Sequence, residues 1–245
     1  MIIKEKQKLN TFLFDLDGTL LSLTHDEFIG RYFGLMGKKF GLLGFNSQVF
    51  INAVLAGTMA MIKNDGTMTN EQAFWKVFNN LVKYEGTNLI EEFEQFYQKD
   101  FDLVQSVTHQ DEMAIKCISL LKEKGYTLVL ATNPLFPAIA TQKRTKWAGL
   151  DPDDFVYVST YENSSYSKPS RGYYEGVLKN INKEPGECIM VGNDVKDDMC
   201  ALKYGLEGFL ITSHMINSED TDLSNYRKGS FTDLYNFIEG LPDLK

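Results

Sequence analysis

The sequence predicts an α/β fold, a doubly wound parallel sheet with an inserted α-helical domain, and three observations predict it. Short apolar runs alternate regularly with helix-length amphipathic segments from about residue 111 onward. Such alternation, with strands apolar throughout, marks a parallel sheet covered on both faces. Between residues 26 and 102 the texture changes to long amphipathic segments with no clear strand. A first strand stands alone ahead of that helical stretch, so the helices are inserted rather than appended.

The first strand is Phe12-Leu13-Phe14, too short for a helix and halted by Asp15-Leu16-Asp17-Gly18. In the insertion, Thr69-Asn70-Glu71-Gln72 reads as a capping box, where Thr69 and Gln72 satisfy free amides at a helix start. Phe74, Val77, Phe78, Leu81 and Val82 then fall on one helical side. Residues 88–101 repeat the pattern with Ile90, Phe93, Phe96 and Tyr97, and Gly41, Gly44, Gly57, Gly66 and Gly86 punctuate the region. Beyond it, helices at about 111–124, 136–147, 171–181 and 195–204 precede strands at 126–131, 155–158, 188–191 and 207–212. A final short helix is expected over 231–241.

The chain has 245 residues, room for one α/β domain and a smaller accessory domain. Lys and Arg number 25 against 33 Asp and Glu, a net charge of −8 with no basic block. That balance argues against nucleic acid or an anionic membrane as partner. Cys117, Cys188 and Cys200 are odd in number, widely spaced and set in apolar stretches, so buried free thiols in a reducing, cytoplasmic setting are expected. The first ten residues lack the apolar core of a signal peptide. His25, His109 and His214 are too scattered for a zinc hydrolase.

Ligands of open α/β sheets bind beyond the carboxyl ends of the strands. The residues just past each predicted strand are therefore the candidate site: Asp15 and Asp17, then Thr132-Asn133, then a loop with Lys168, then Asn193-Asp194 with Asp197-Asp198. These carboxylates offer the oxygen ligands that Mg²⁺ prefers. Thr132 and Lys168 add a hydroxyl and an ammonium suited to a phosphate. Taken singly, each piece is as well explained by a turn or a helix cap; the four in order are not.

At this point the chain resembles the haloacid dehalogenase (HAD) superfamily. Asp15-Leu16-Asp17-Gly18-Thr19-Leu20 looks like its motif I, Ala131-Thr132-Asn133 motif II, Ser167-Lys168-Pro169 motif III, and Gly192-Asn193-Asp194 through Asp198 motif IV. The resemblance implies a Rossmann-like HAD core at 1–22 and 105–245 and a C1-type helical cap at 23–104. It implies a Mg²⁺-dependent phosphohydrolase acting on a small phosphorylated metabolite, as a monomer or small homo-oligomer. Asp15 would be the nucleophile that becomes an aspartyl-phosphate, and Asp17 the general acid and base. Asp15, the Asp17 carbonyl and Asp194 would hold the metal, while Thr132, the Asn133 amide and Lys168 grip the phosphate. Asp198 or Asp197 would orient Lys168 or a metal-bound water, and the sequence does not choose between them.

Departures from the family pattern concern the substrate. Leu21-Ser22-Leu23-Thr24-His25 stands where many capped relatives have an Asp-Ser pair, and Ser170-Arg171-Gly172 replaces an acidic continuation. His25 at the hinge and Arg31, Lys38 and Lys39 in the insertion are weaker candidates, each better read as an ordinary solvated residue. Two alternatives remain open. One is a phosphotransferase resembling β-phosphoglucomutase. The other is a non-catalytic phosphate-binding or signalling protein, although a receiver-like module is disfavoured by the large insertion after the first strand.

Overall fold

A computed structural model describes residues 9–83 and 88–245. Gly86 and most of the first ten residues lie outside them. A six-stranded sheet is the centre of the molecule: β1 (Thr11–Phe14), β4 (Thr127–Leu130), β5 (Tyr157–Val158), β6 (Cys188–Gly192), β7 (Glu207–Ile211) and β8 (Lys228–Gly229). Their order is β5-β4-β1-β6-β7-β8, every pair parallel. β1 is central, with Leu13 opposite Val129 on one side and Met190 on the other.

Side chains of a strand alternate between faces, and β1 divides the core accordingly. Phe12 and Phe14 join the face covered by α5 (Glu112–Lys124) and α8 (Phe231–Glu239). Leu13 joins the other, against Tyr173, Tyr174 and Val177 of α7 (Arg171–Ile181). All four residues of β1 are buried, which is why it reads as an unbroken apolar run rather than an alternating one. α5 starts where Asp111 accepts from the amides of Met113 (2.8 Å) and Ala114 (3.2 Å), and stops at Gly125 with φ 83°.

Among the described residues four α-helices lie between β2 (Leu21–Ser22) and β3 (His109–Gln110): α1 (His25–Leu42), α2 (Ser47–Ile62), α3 (Asn70–Leu81) and α4 (Leu89–Gln98), followed by a 3-10 segment, Asp100–Val107. β2 and β3 pair antiparallel, Leu21 with Gln110 and Ser22 with His109, so the two crossings into and out of the helices are joined. α3 carries the capping box, with Thr69 Oγ1 accepting from Gln72 N and Gln72 Oε1 from Thr69 N. Inside, Phe40 and Phe50 stack at 4.1 Å, and Phe78 and Phe93 meet edge to face at 5.4 Å. The phenylalanines of this region are thus mainly its own core. Among the described residues no helix is long and apolar enough to cross a membrane.

Three expectations needed correction. No α-helix forms over 195–204; only a 3-10 segment, Met199–Tyr204, is present. Asp194 Oδ1 takes the amides of Lys196 and Asp197 as a helix cap would, and Asp198 Oδ2 takes that of Asp194. Beyond Asp198 the backbone bonds three residues back, as from Ala201 N to Asp198 O (3.2 Å), so the turn continues as 3-10 rather than α. The strand expected over 155–158 is ordered as strand only at Tyr157–Val158. The helix expected over 136–147, α6, begins after Pro137, at Ala138–Trp147.

Candidate active site

The site assembles where the parallel strands end. β1 delivers Asp15, whose amide donates to Val191 O (2.9 Å) and so registers it against β6. The chain then turns through Gly18 at φ 78°, where a side chain would collide with the Asn193 amide. Thr19, on the far side of that turn, donates to Asp15 Oδ2 (3.1 Å) or Asn193 Oδ1 (3.2 Å). A hydroxyl has one proton, so it alternates between the loops after β1 and β6 or favours one.

Lys168 occupies the middle. It is 3% exposed, and its ammonium donates to Asp15 Oδ1 (3.0 Å) and Asp198 Oδ1 (2.6 Å). Burial opposes its charge most strongly, but Asp15 and Asp198 together outweigh burial and hold its pKa well above the usual lysine value. Asp198, 1% exposed, is raised as well, to about 7: burial lifts its carboxyl, Lys168 resists and Asp15 adds to the rise. Geometry distinguishes the two neighbouring acids. Asp198 faces Lys168, whereas Asp197 Oδ2 accepts from the Asn133 side chain (3.2 Å).

Asn133 joins three loops, since its Oδ1 also accepts from the Lys168 amide (3.3 Å). Thr132 beside it is 2% exposed, and its carbonyl accepts from the Tyr173 hydroxyl (2.9 Å). Asp194 follows β6 with Oδ1 taken by two amides and Oδ2 uncommitted among the described residues. Asp15, Asp17 and Asp194 present only oxygens, the donor class that suits Mg²⁺. Among the described residues no three acidic, His or Cys side chains converge. The all-oxygen character of Asp15, Asp17 and Asp194 is what fits the metal on chemistry.

Asp17 has a partner that the sequence reading missed. Arg144 of α6, completely buried, is ion-paired to Asp17 Oδ2, donates to Thr141 Oγ1 (3.2 Å) and lies 4.3 Å over the Phe136 ring. Burial raises the Asp17 carboxyl above the usual carboxylate range, Arg144 opposes that rise, and the negative charge of Asp15 adds to it. Its other oxygen, Oδ1, is buried and has no hydrogen-bond partner among the described residues. A signal for Arg144 was present. It shares a helix face with Ala140 and Trp147, both buried, and a cation on a buried face requires an anion opposite.

The helical segment is tied to these loops through Asn70, the first residue of α3. Its side chain donates to Pro134 O (3.1 Å) and lies 3.3 Å from Tyr166 O and from Ser167 Oγ, and its amide donates to Ser164 O (2.8 Å). Ser167 Oγ in turn donates to Met61 O (3.2 Å). Of the weaker candidates, Lys39 pairs with Glu92 (2.9 Å), Arg31 donates to Leu103 O (3.3 Å) and Lys38 is exposed. His25, also exposed, is near enough to act on the Asp17 carboxyl: against the larger rise from burial, it lowers that carboxyl slightly.

Known proteins are similar to this chain in sequence and in fold. A D-glycero-beta-D-manno-heptose-1,7-bisphosphate 7-phosphatase of Haemophilus ducreyi is 24% identical over 163 residues, 57% of this chain and 86% of that protein. A HAD phosphatase from Thermococcus onnurineus shares the fold with a TM-score of 0.60 at 21% identity, covering 96% of this chain and 100% of that one. The putative HAD-hydrolase YfnB from Bacillus subtilis, solved bound to magnesium, gives 0.56 at 20% identity, with coverage of 95% and 99%. The family model for haloacid dehalogenase-like hydrolases matches residues 9–205, from the start of the sheet through the loop of Asp194 and Asp198. This chain belongs to the haloacid dehalogenase-like hydrolases.

Proposed function

We propose that the protein is a Mg²⁺-dependent phosphatase that hydrolyses a small phosphomonoester through an aspartyl-phosphate on Asp15. The observation that carries this reading is the second carboxyl, Asp17. It lies two residues from the nucleophile, its pKa is raised, and one oxygen is held by Arg144 while the other has no partner among the described residues. A raised carboxyl suits a group that must give a proton and then take one.

In the first step an Asp15 oxygen attacks phosphorus and the bond to the ester oxygen breaks. Asp17 protonates the departing alkoxide, which leaves as the alcohol. In the second, ionised Asp17 removes a proton from water, the water oxygen attacks phosphorus, and the acyl-phosphate P–O bond breaks. Inorganic phosphate leaves and Asp15 is restored. Lys168 stays cationic throughout and offsets repulsion between the Asp15 carboxylate and the phosphate dianion. Asp198 keeps Lys168 in place, and Thr132 and the Asn133 amide hold the non-bridging oxygens. Asp15, the Asp17 carbonyl and Asp194 would hold Mg²⁺, which supplies charge neutralisation at the phosphate.

Residues 1–22 and 105–245 form the catalytic core in this reading, and 23–104 a C1-type cap whose hinge is β2 and β3. A cap tied down through Asn70 excludes water while the leaving group departs. The phosphatase name of the Haemophilus ducreyi relative supports the reaction class. The test is a screen of phosphomonoesters with and without Mg²⁺, with Asp15→Asn as control. Phosphate release that needs both Mg²⁺ and Asp15 is the expected result. Isomerised product without phosphate release would point to a mutase instead.

Two variants probe Asp17. Asp17→Asn is expected to slow turnover by about 10²–10⁴-fold, the usual worth of a positioned acid or base. Rapid-quench assays should find phosphoenzyme accumulating if dephosphorylation is slowed more than formation. Arg144→Met leaves Asp17 free to move; about 10²-fold lower kcat is expected from that misplacement. A loss of about 1–3 kcal/mol in urea unfolding should accompany it, because Asp17 loses the partner of one oxygen while its side chain stays 29% exposed and partly solvated. Unchanged kcat at Arg144→Met would remove Arg144 from the account.

A further inference from the structure

Between the helical segment and the strand-end loops lies a cavity of about 400 Å³, within the size range of small-molecule sites. Leu135 and Pro137, from the loop that carries Thr132 and Asn133, form part of one wall, with Tyr161 and Glu162 from the loop after β5. Helices α1 to α4 supply the rest, apart from Ile139 in the first turn of α6.

The lining is unusual for an enzyme of phosphate esters. Three acidic residues line it, Glu71, Glu162 and the exposed Glu94, and among the described residues no lysine or arginine does. Tyr32, Phe74, Trp75, Phe93, Tyr97 and Tyr161 surround them. Glu162 is fixed, with both oxygens accepting from the Ala138 amide (2.8 and 3.1 Å) at the start of α6. Burial raises the Glu71 carboxyl and the charge of Glu162 raises it further, so like charges meet here without a balancing cation. Arg144, behind this wall, is committed to Asp17.

The lining makes two chemical demands on an occupant. Aromatic faces and carboxylates both attract a cation and repel a second anionic group. Tyr32 and Tyr97, each more than nine-tenths buried, share one hydrogen bond at 2.7 Å. One hydroxyl proton of that pair has no acceptor among the described residues, and a ligand oxygen would satisfy it.

We propose that this cavity binds a small cationic alcohol, an ammonium or quaternary ammonium compound with a hydroxyl or ether oxygen. Binding of the cation stands on the cavity itself. Its identity as the alcohol half of the substrate rests on the proposed phosphatase reading; a separate cationic effector is the other source of the same chemistry.

The test is calorimetric titration of the full chain with choline and with 3,3-dimethyl-1-butanol, its uncharged counterpart of like shape. Choline should bind at least about tenfold more tightly. The Glu71→Gln/Glu94→Gln double variant, which keeps shape and removes two charges, should lose about tenfold in choline affinity. Trp75→Leu should weaken choline as well, with an unchanged circular-dichroism melt confirming that each variant folds. Equal affinity for the two alcohols, no choline binding, or an undiminished preference in folded variants would overturn the proposal.

Phosphate release then separates the sources. Faster hydrolysis of phosphocholine than of glycerol 3-phosphate, with choline competing, identifies the substrate's alcohol. Choline that alters kcat on glycerol 3-phosphate without competing identifies an effector. Choline binding with no ester hydrolysed would overturn the phosphatase reading and keep the cavity assignment. Hydrolysis of glycerol 3-phosphate without choline binding would do the reverse.

Discussion

Asp15→Asn is expected to abolish turnover, with phosphate release falling by at least about 10⁴-fold, because the covalent route loses its only nucleophile. An amide oxygen is nearly isosteric with the carboxylate but carries no charge to attack phosphorus. The fold should survive. Asp15 stands beside Lys168, which keeps Asp198 as an anionic partner at 2.6 Å, and Thr19 can still donate to an amide oxygen. The variant should therefore bind substrate and stall. Steady-state assays over the ester screen measure the loss, and a melt alongside them separates it from unfolding. Residual activity within tenfold of the parent would contradict Asp15 as the nucleophile.

Lys168→Met has the second largest expected effect, and it acts on stability as well as rate. Methionine fills similar volume but leaves Asp198 (1% exposed) and Asp15 (8% exposed) facing each other without a cation. Breaking a buried pair by deleting one member costs about 3–5 kcal/mol. Asp198, already raised by burial, would take up a proton at neutral pH and absorb part of that cost. The rate should drop by about 10³-fold or more, because the phosphate meets Asp15 with no ammonium to offset the repulsion. Urea unfolding and kcat together test this. Adding Asp198→Asn to Lys168→Met should recover part of the stability and none of the rate. Recovery of rate would mean that Lys168 serves only the fold.

The strand-end residues were legible because a parallel sheet converts sequence order into position. Asp15, Thr132, Lys168 and Asp194 each lie in the loop after a strand, so recognising short apolar strands was enough to bring them to one edge. Asp197 and Asp198 could not be told apart in the sequence. Adjacent residues at a turn point apart, and which one meets Lys168 depends on the turn at 194–198, held by Asp194 Oδ1 and Asp198 Oδ2, rather than on helical spacing. Arg144 and Asn70 were less legible for a related reason. Each sits on a helix far along the chain from its partners, 127 residues in the case of Arg144 and Asp17, and only packing brings them together. The short edge strand β8 left almost no periodicity to read, being two residues long.

The central claim is that Asp15 carries the phosphoryl group. Borohydride reduction of the enzyme quenched during turnover, with peptide mass analysis afterwards, tests it directly, since reduction converts an aspartyl-phosphate to homoserine. The account predicts homoserine at position 15, dependent on substrate and enriched in Asp17→Asn if that variant accumulates phosphoenzyme. Phosphate release at full rate with position 15 unmodified, or with the label on another residue, would contradict it.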